Sequence, residues 1–433
     1  MKSLQDTDPE IVQAIRLELE RARNGLEMIA SENFTSIYVL QAMGSVFTNK
    51  YSEGYPEKRY YGGNEFVDRA ERLAIERAKK LFGAEHVNVQ PLSGSPANQA
   101  VFFALLNLGD TFLGFDLTCG GHLTHGSPVS FSGKQYKCVP YSVDRETELL
   151  DFDAIRKLAL ENKPKLILSG LTAYPRKIDF SAFQEIAEEA NAYHFADIAH
   201  IAGLVASGLH QNPVPICDVV TTTTHKTLRG PRGAIIMCKE EDRLHDMHHP
   251  GSQKSLAQLI DSAVFPGLQG GPHDHMTAAK AVAFKEAMQP GFSEYSRKIL
   301  RNSKALAEEL MSHGLRLVTG GTDNHLVLVD VWEKSVTGKG AQDMLESAGI
   351  YVNKNTVPFD KRSPFDPSGI RIGTPALTTR GMNVEEMKDI GMMISEIILS
   401  KGDDSVIQKT RENISELCRQ FPLYPELEDG YVK

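Results

Sequence analysis

Apolar and polar residues follow two rhythms along this chain, and the points where one gives way to the other outline its architecture. Five short runs rich in apolar and β-branched residues are too short for helices: TFLGFD from Thr111, KLILSG from Lys165, HFADIA from His194, CDVVTTT from Cys217 and GAIIMC from Gly233. They predict strands buried on both faces. Between them lie helical stretches such as SAFQEIAEEANAY from Ser181. Strand–helix alternation of this kind predicts an α/β domain with a mostly parallel sheet covered by helices on both faces.

The flanks differ. Pro9 suits a first turn, and Ile11, Ile15, Leu17 and Leu19 recur at near-helical spacing, which predicts a helix from Asp8 to about Met28. A second helix, Glu65 to Phe82, is bounded by Asn64 as cap and Gly83 as stop. From about Ala278 onward, long helical segments lead into HLVLVDV, YVNKN and GIRIGTP and then two more helical runs, as in a separate α+β domain. The expected division is an N-terminal arm over 1–27, a large domain over 28–277 and a small domain over 278–433. The last boundary follows the glycine-rich FPGLQGGPHDH loop.

Composition narrows the function classes. A chain of 433 residues is too long for one typical core. The formal net charge of -9 argues against a nucleic-acid partner, which would select a basic surplus. Cys119, Cys138, Cys217, Cys238 and Cys418 are scattered and form no CxxC pair, so neither a metal centre nor a disulfide framework is expected. Scattered thiols suit a reducing compartment. The opening MKSLQDTDPE has no apolar core of a signal peptide, and no run reaches the length of a membrane span, so the expected place is the cytoplasm and no membrane partner is expected.

Candidate chemistry gathers at strand ends, as it does in α/β sheets generally. In VVTTTTHKTLRGPRG, Lys226 follows a β-branched strand and precedes a loop made irregular by two glycines and a proline. Such a lysine suits a nucleophilic amine that forms a Schiff base, but a surface lysine on a turn fits the same residues. In QPLSGSPANQAVFFALL, Ser95 and Pro96 fit a helix cap and first position, with Ser93 and Gly94 just ahead; that is an anion seat suited to phosphate, or a plain capped helix. GxGxxG and GxxxxGK[ST] are missing there, so no dinucleotide or nucleoside triphosphate site is indicated. Asp197 sits in an apolar strand and needs a cationic or hydrogen-bonding partner. NKYSEGYPEKRYYGGNEFVD crowds tyrosines and charges onto glycine-rich backbone, as a site loop or a packed tyrosine cluster would.

Taken together, TTTTHKTLRGPRG, ADIAHIAG, LSGSPAN, GGHLTHGS, KYSEGYPEKRYYGG, PGLQGGP and SGIRIGTP resemble the serine hydroxymethyltransferases across nearly the whole chain. The resemblance implies a fold-type I pyridoxal-phosphate enzyme: a large domain with a seven-stranded-type, mostly parallel sheet, a smaller C-terminal domain, and a homodimer sharing its active sites. It implies that Lys226 carries pyridoxal 5'-phosphate covalently, that Asp197 pairs with the pyridinium nitrogen, that His122 stacks on the ring and that His200 lies near its phenolic oxygen. Ser93 and Gly94 would seat the phosphate, with Tyr51, Gly270 and Gly271 coming from the other subunit. Thr172 stands where a serine is usual near the cofactor; the hydroxyl survives. Arg371 would clamp the substrate carboxylate with help from Ser31. Glu53 would be the acid–base group, with Tyr61 beside it, and His225 would bear on reaction specificity or only orient the lysine loop. Leu117, Gly121, His122, Leu123, Asn355, Ser363, Pro364 and Phe365 match positions that contact tetrahydrofolate.

The activity so implied is reversible transfer of the hydroxymethyl group of L-serine to tetrahydrofolate, giving glycine and 5,10-methylenetetrahydrofolate, in one-carbon and serine/glycine metabolism. Three alternatives stay open on the residues. A folate-independent aldolase on the same scaffold would keep Lys226, Asp197 and Arg371 but not need Glu53 or the 363–365 segment. An aminotransferase leaves Glu53 and the tyrosine-rich loop without a purpose. A catalytically silent binding protein leaves the whole constellation without one.

Overall fold

A computed structural model describes residues 3–427. The outermost residues of the expected arm and small domain, 1–2 and 428–433, lie outside the described residues. The chain forms two compact units: one runs to Glu32 and resumes over Lys298–Val357 and from Lys361, and the other is Asn33–Arg297 with Pro358–Asp360.

The larger unit is built on seven strands: β1 His86–Asn88, β2 Thr111–Phe115, β3 Lys137–Tyr141, β4 Leu166–Gly170, β5 Tyr193–Asp197, β6 Val219–Thr223 and β7 Ala234–Cys238. They lie in the order β1-β7-β6-β5-β4-β2-β3. Pairing is parallel from β6 through β3, and only β7 runs antiparallel to both its neighbours. The five apolar runs are β2 and β4 to β7. β4, β6 and β7 are buried at every position, which is why they read as continuous rather than alternating patterns. Strands β1 and β3 escaped the sequence reading because HVN is short and KCVPY carries Pro140 at a sheet edge.

The helix Gly94–Leu105 packs through Phe102 into an aromatic cluster with Phe112, Phe131, Tyr136 and Phe195, ring centroids 4.8 to 6.3 Å apart. That packing sets its N-terminus at the strand ends. Ser93, not Ser95, is its N-cap, so the helix starts at Gly94. An extended serine followed by a glycine begins this helix as readily as Ser95–Pro96 would.

In the smaller unit, β8 Arg316–Leu317, β9 Leu326–Asp330, β10 Asn353–Asn355 and β11 Gly369–Gly373 form an antiparallel sheet in the order β8-β9-β11-β10. The N-terminal segment belongs here rather than standing as an arm. Leu26–Glu27 pairs in parallel with Ile350–Tyr351. Arg380 donates to carbonyls of Ala22, Arg23 and Gly25 at one helix end and of Cys418 and Phe421 at another, at 2.8 to 3.4 Å. A cation shared between two helix C-termini meets their orphan carbonyls. The helix itself is Pro9–Asn24, and Ile11, Ile15 and Leu17 are exposed while Val12 and Ala22 are buried.

The later boundary also differs, falling at Arg297/Lys298 instead of 277/278. The helix Asp274–Ala287 stays with the larger unit because its apolar side packs with Val39 and its Lys280 is buried. Among the described residues no helix is long and apolar enough to cross a membrane.

His194 in β5 is buried, 2.7 Å from Ser169 Oγ and 3.1 Å from Gln184 Oε1. Burial, aided by Arg243, pushes its imidazole down to about 3. Since the unfolded chain protonates it near pH 6.5, its neutral form contributes fully above that pH and the contribution is lost as pH falls toward 3, by about 1.4 kcal/mol per pH unit. The thermal midpoint should therefore drop between about pH 7.5 and about pH 5, and drop less in His194→Gln; parallel curves would refute this.

Candidate active site

The C-terminal ends of β4, β5 and β6 meet at one edge, with Gly170 opposite Asp197 and Asp197 opposite Thr221. A side chain at Gly170 would put its Cβ 2.8 Å from Asp197 Cβ, so only glycine leaves the carboxylate room. Asp197 Oδ2 accepts from Asn98 Nδ2 at 2.8 Å and lies 3.2 Å from His125 Nε2, while Oδ1 accepts from Ala199 N at 3.0 Å. Asn98 is itself fixed by Thr221 Oγ1, which donates to its Oδ1 at 2.7 Å, and it donates to Thr124 Oγ1 at 2.9 Å. Burial works to raise the Asp197 pKa, but His125 and Asn98, with His122 farther off, outweigh it and hold the carboxyl well below the usual carboxylate range. A buried, ionised carboxylate therefore stands at the strand edge.

The lysine loop is fastened on both sides. Thr227 Oγ1 donates to His200 O and accepts from Gly203 N, at 3.0 and 2.9 Å, which sews the loop to the segment after Asp197. Asn33 Nδ2 donates to Lys226 O at 2.9 Å, and Thr35 Oγ1 to Arg229 O at 2.9 Å. Thr224 closes the loop, its Oγ1 donating to Pro231 O at 2.6 Å and its N to Gly233 O at 3.0 Å. His225 is half-buried. Burial first, then Arg232 and Lys226, push its imidazole down to about 3, and its Nδ1 has no hydrogen-bond partner among the described residues.

Gly94 lies against β6: a Cβ there would come within 2.8 Å of Thr223 Cγ2. The Ser93 hydroxyl makes no capping bond, and Pro96 has no N–H to offer, so the first turn presents Ser93 and the amides of Gly94 and Ser95. The segment before it is held by Lys280, fully buried, whose Nζ donates to Val89 O, Pro91 O and Ala234 O at 2.7, 3.1 and 2.9 Å. Burial pushes this ammonium down to about 7. Nearby, His122 caps the turn Leu123–His125, its Nδ1 2.7 Å from Thr124 Oγ1. Gly121 is buried, Leu117 and Leu123 are exposed, and Thr172 N donates to Gly120 O at 2.9 Å.

A second group forms around the tyrosine-rich loop. Tyr51 and Tyr61 meet edge to face at 5.1 Å, and Tyr51 lies against Gly271, where a Cβ would sit 3.3 Å from its ring. The Glu53 carboxylate lies beside Gly270, whose Cβ would be 3.0 Å from Oε1. Gln269 ties this group to the segment that leads to Gly94, its Oε1 accepting from Leu92 N at 3.1 Å and its Nε2 donating to Gln90 O at 3.0 Å.

In the smaller unit, Arg371 is buried in β11 and its Nε donates to Asn353 Oδ1, directly across the sheet, at 3.1 Å. Burial pushes its guanidinium down to about 10. The segment bearing Ser31 runs beside this strand: Gly373 N donates to Met28 O at 2.7 Å, and a Cβ at Gly373 would lie 2.4 Å from Ala30 Cα. Asn355 ends β10, and Ser363, Pro364 and Phe365 are exposed, with Lys354 Nζ donating to Phe365 O at 2.7 Å.

A family model described as serine hydroxymethyltransferase matches residues 4–394. The chain belongs to that family. It is thereby a fold-type I, pyridoxal-phosphate-dependent enzyme of one-carbon metabolism that interconverts serine and glycine with tetrahydrofolate as co-substrate. The geometry of the larger unit fits that cofactor. A protonated pyridine nitrogen needs a carboxylate kept ionised, which Asp197 offers beside Asn98 and His125, and the helix start at Gly94 offers the uncommitted Ser93 hydroxyl and two amides to an anion.

The structure brings Ser93, Gly94, Asp197, His122 and the lysine loop to one sheet edge, and Tyr51, Glu53, Tyr61, Gly270 and Gly271 to one cluster. Ser31 and Arg371 fall together in the smaller unit. Sequence reasoning missed His125, Asn98 and Lys280. His125 stands in the same GGHLTHG motif as His122 and is the histidine that touches Asp197. Lys280 sits in a helical run where a lysine reads as solvent-facing.

Replacing Asn98 by leucine removes one donor from a buried carboxylate and strands the Thr221 hydroxyl. Asn98→Leu should lose about 3 kcal/mol of stability in denaturant titrations, and its midpoint should become less sensitive to acid; wild-type stability would contradict the assigned network.

Proposed function

We propose that this chain transfers the hydroxymethyl group of L-serine reversibly to tetrahydrofolate through pyridoxal 5'-phosphate held on Lys226, as a cytoplasmic homodimer with shared active sites. The observation that carries the assignment is the Asp197 carboxylate, held by Asn98, His125 and the Ala199 amide beside the strand that delivers Lys226. When bound, pyridoxal phosphate supplies an electron sink for the pair released at the substrate Cα.

The residues divide the remaining work. Asp197 would keep the ring nitrogen protonated. His122, His200 and Thr172 would hold the ring, and Ser93 and Gly94 would bind the phosphate. Arg371, with Ser31, binds the substrate carboxylate through its planar fork and so fixes which Cα bond is aligned for cleavage. Glu53 moves the proton at the substrate hydroxymethyl oxygen, with Tyr61 beside it. His225, neutral at working pH, steadies the lysine loop, which leaves acid–base work to Glu53. Leu117, Gly121, Leu123, Asn355 and the 363–365 segment receive the folate. The exposed faces of Leu117 and Leu123 suit a flat heteroaromatic ring.

Exposed apolar side chains support the dimer. Tyr38, Val46, Tyr60, Phe66 and Phe103 are each more than half exposed in the larger unit, and Ile11 and Leu17 lie exposed on the first long helix. Tyr51, Gly270 and Gly271 then serve the partner's site.

Three experiments test this reading. Tetrahydrofolate should accelerate exchange of the glycine α-proton, and Glu53→Gln should retain binding of serine while losing folate-dependent cleavage by about 100-fold or more. Undiminished cleavage in Glu53→Gln would remove the proton-transfer role, and a lack of any folate effect would favour the aldolase. Mixing Lys226→Ala with Tyr51→Ala should restore about a quarter of wild-type activity, since half of randomly paired dimers contain one intact shared site. No recovery despite subunit exchange would show that Tyr51 acts within its own chain.

A further inference from the structure

Glu53 projects from backbone that turns sharply right after it. Gly54 has φ 100°, and a Cβ there would lie 2.3 Å from Lys58 O. Glycine makes this turn accessible and, by the same freedom, leaves the direction of the Glu53 side chain undetermined by local preference. Something outside the turn must hold it.

Arg59 does so. Its Nη1 donates to Ser52 O at 2.8 Å and to Gly54 O at 2.7 Å, the carbonyls on either side of Glu53. Its Nε donates to Asp68 Oδ1 at 2.8 Å and its Nη2 to Glu71 Oε2 at 2.5 Å, both on the helix Glu65–Phe82. Glu71 is shared: its Oε1 accepts from Gln90 Nε2 at 2.8 Å, and the same Gln90 amide donates to Gly54 O at 2.9 Å. Gln90 belongs to the segment that leads to Ser93. Tyr60 N donates back to Glu53 O at 3.0 Å, which closes the loop. The three ionic side chains are 4%, 10% and 1% exposed, so water does not compete for these bonds.

We propose that Arg59 is the positioning residue for Glu53. Its fork fixes the two peptide groups flanking the acid–base carboxylate, and Glu71 and Gln90 set that loop against the phosphate-seat segment. The proposal rests on the assignment of Glu53 to proton transfer. A lysine in this place would keep the charge facing Asp68 and Glu71 but could not span two carbonyls and two carboxylates at once.

Arg59→Lys should lower kcat for folate-dependent serine cleavage about 10- to 100-fold while KM for serine stays within about twofold, because a small displacement of the reacting group costs rate rather than binding. Cofactor trapped on Lys226 by borohydride should be unchanged, and amide exchange at Tyr60 should accelerate. The decisive readout is the double variant. In a Glu53→Gln background Arg59→Lys should cost nothing further, since its effect passes through the missing carboxylate. An equal fold-loss in both backgrounds would overturn the positioning role and leave only a structural one. Undiminished cleavage in Glu53→Gln alone would instead bring down the Glu53 assignment and this proposal with it. Should Arg59→Lys not fold, Gln90→Ala, which leaves all four Arg59 bonds in place, decides: a smaller loss that vanishes in the Glu53→Gln background supports the proposal, and an additive loss or none overturns it.

Discussion

A buried ammonium group must find hydrogen-bond acceptors or lose its proton, and that constraint at Lys280 organises the catalytic half of the larger unit. Its carbonyl partners come from two places far apart in sequence: Val89 and Pro91 lead from β1 to the helix start at Gly94, and Ala234 opens β7. Gly233, the last residue of the lysine loop, has no side chain because Lys280 occupies the space, with Cε 2.5 Å from where a Cβ would lie. One buried amine thus sets the spacing between the helix start at Gly94 and the end of the loop that carries Lys226. The helix Asp274–Ala287, which delivers Lys280, is therefore part of the site's foundation even though none of its residues was assigned to chemistry.

Charge is used in the same way around it. Glu71 lies close enough to Lys280 to favour its charged form, and Glu71 also meets Arg59 and Gln90. Burial raises the Glu71 pKa while Arg59 and Gln90 pull it down, so its ionised state depends on its partners being in place. Asp197 shows the opposite balance, held ionised by His125 and Asn98 despite burial. The first arrangement fixes backbone, and the second leaves a carboxylate edge able to receive a cation.

The sheet was legible because its central strands are buried on both faces, and continuous β-branched runs have few other solutions. Asp197 stood out for a related reason: a carboxylate that interrupts such a run needs a partner, and Asn98 and His125 supply it. The same logic failed where burial could not be inferred from neighbours. Lys280 lies in a helical run, where a lysine normally faces water, and Arg59 lies among exposed charges in the tyrosine-rich segment. Ile11 and Ile15 marked the first long helix by their spacing, although both lie exposed on it. The N-terminal segment was separable on paper, because nothing local reveals that Arg380, more than three hundred residues away, donates to the carbonyls at its helix end.

Buried ion pairs seldom add much stability over an apolar core of the same shape, because desolvation offsets the attraction. Their concentration in this unit therefore calls for a reason other than stability. Apolar packing tolerates small displacements with little penalty, whereas a guanidinium fork or an ammonium with its acceptors has one good geometry. Proton transfer and bond alignment are sensitive to displacements of about an ångström, so a site that must hold a carboxylate, an amine and an anion seat in register gains from the stiffer device. The segments that position these groups, Ser52–Gly54, Val89–Pro91 and Gly233–Ala234, are the ones met by buried charge. The strands beneath them, where displacement would cost only packing, are held by aliphatic and aromatic side chains.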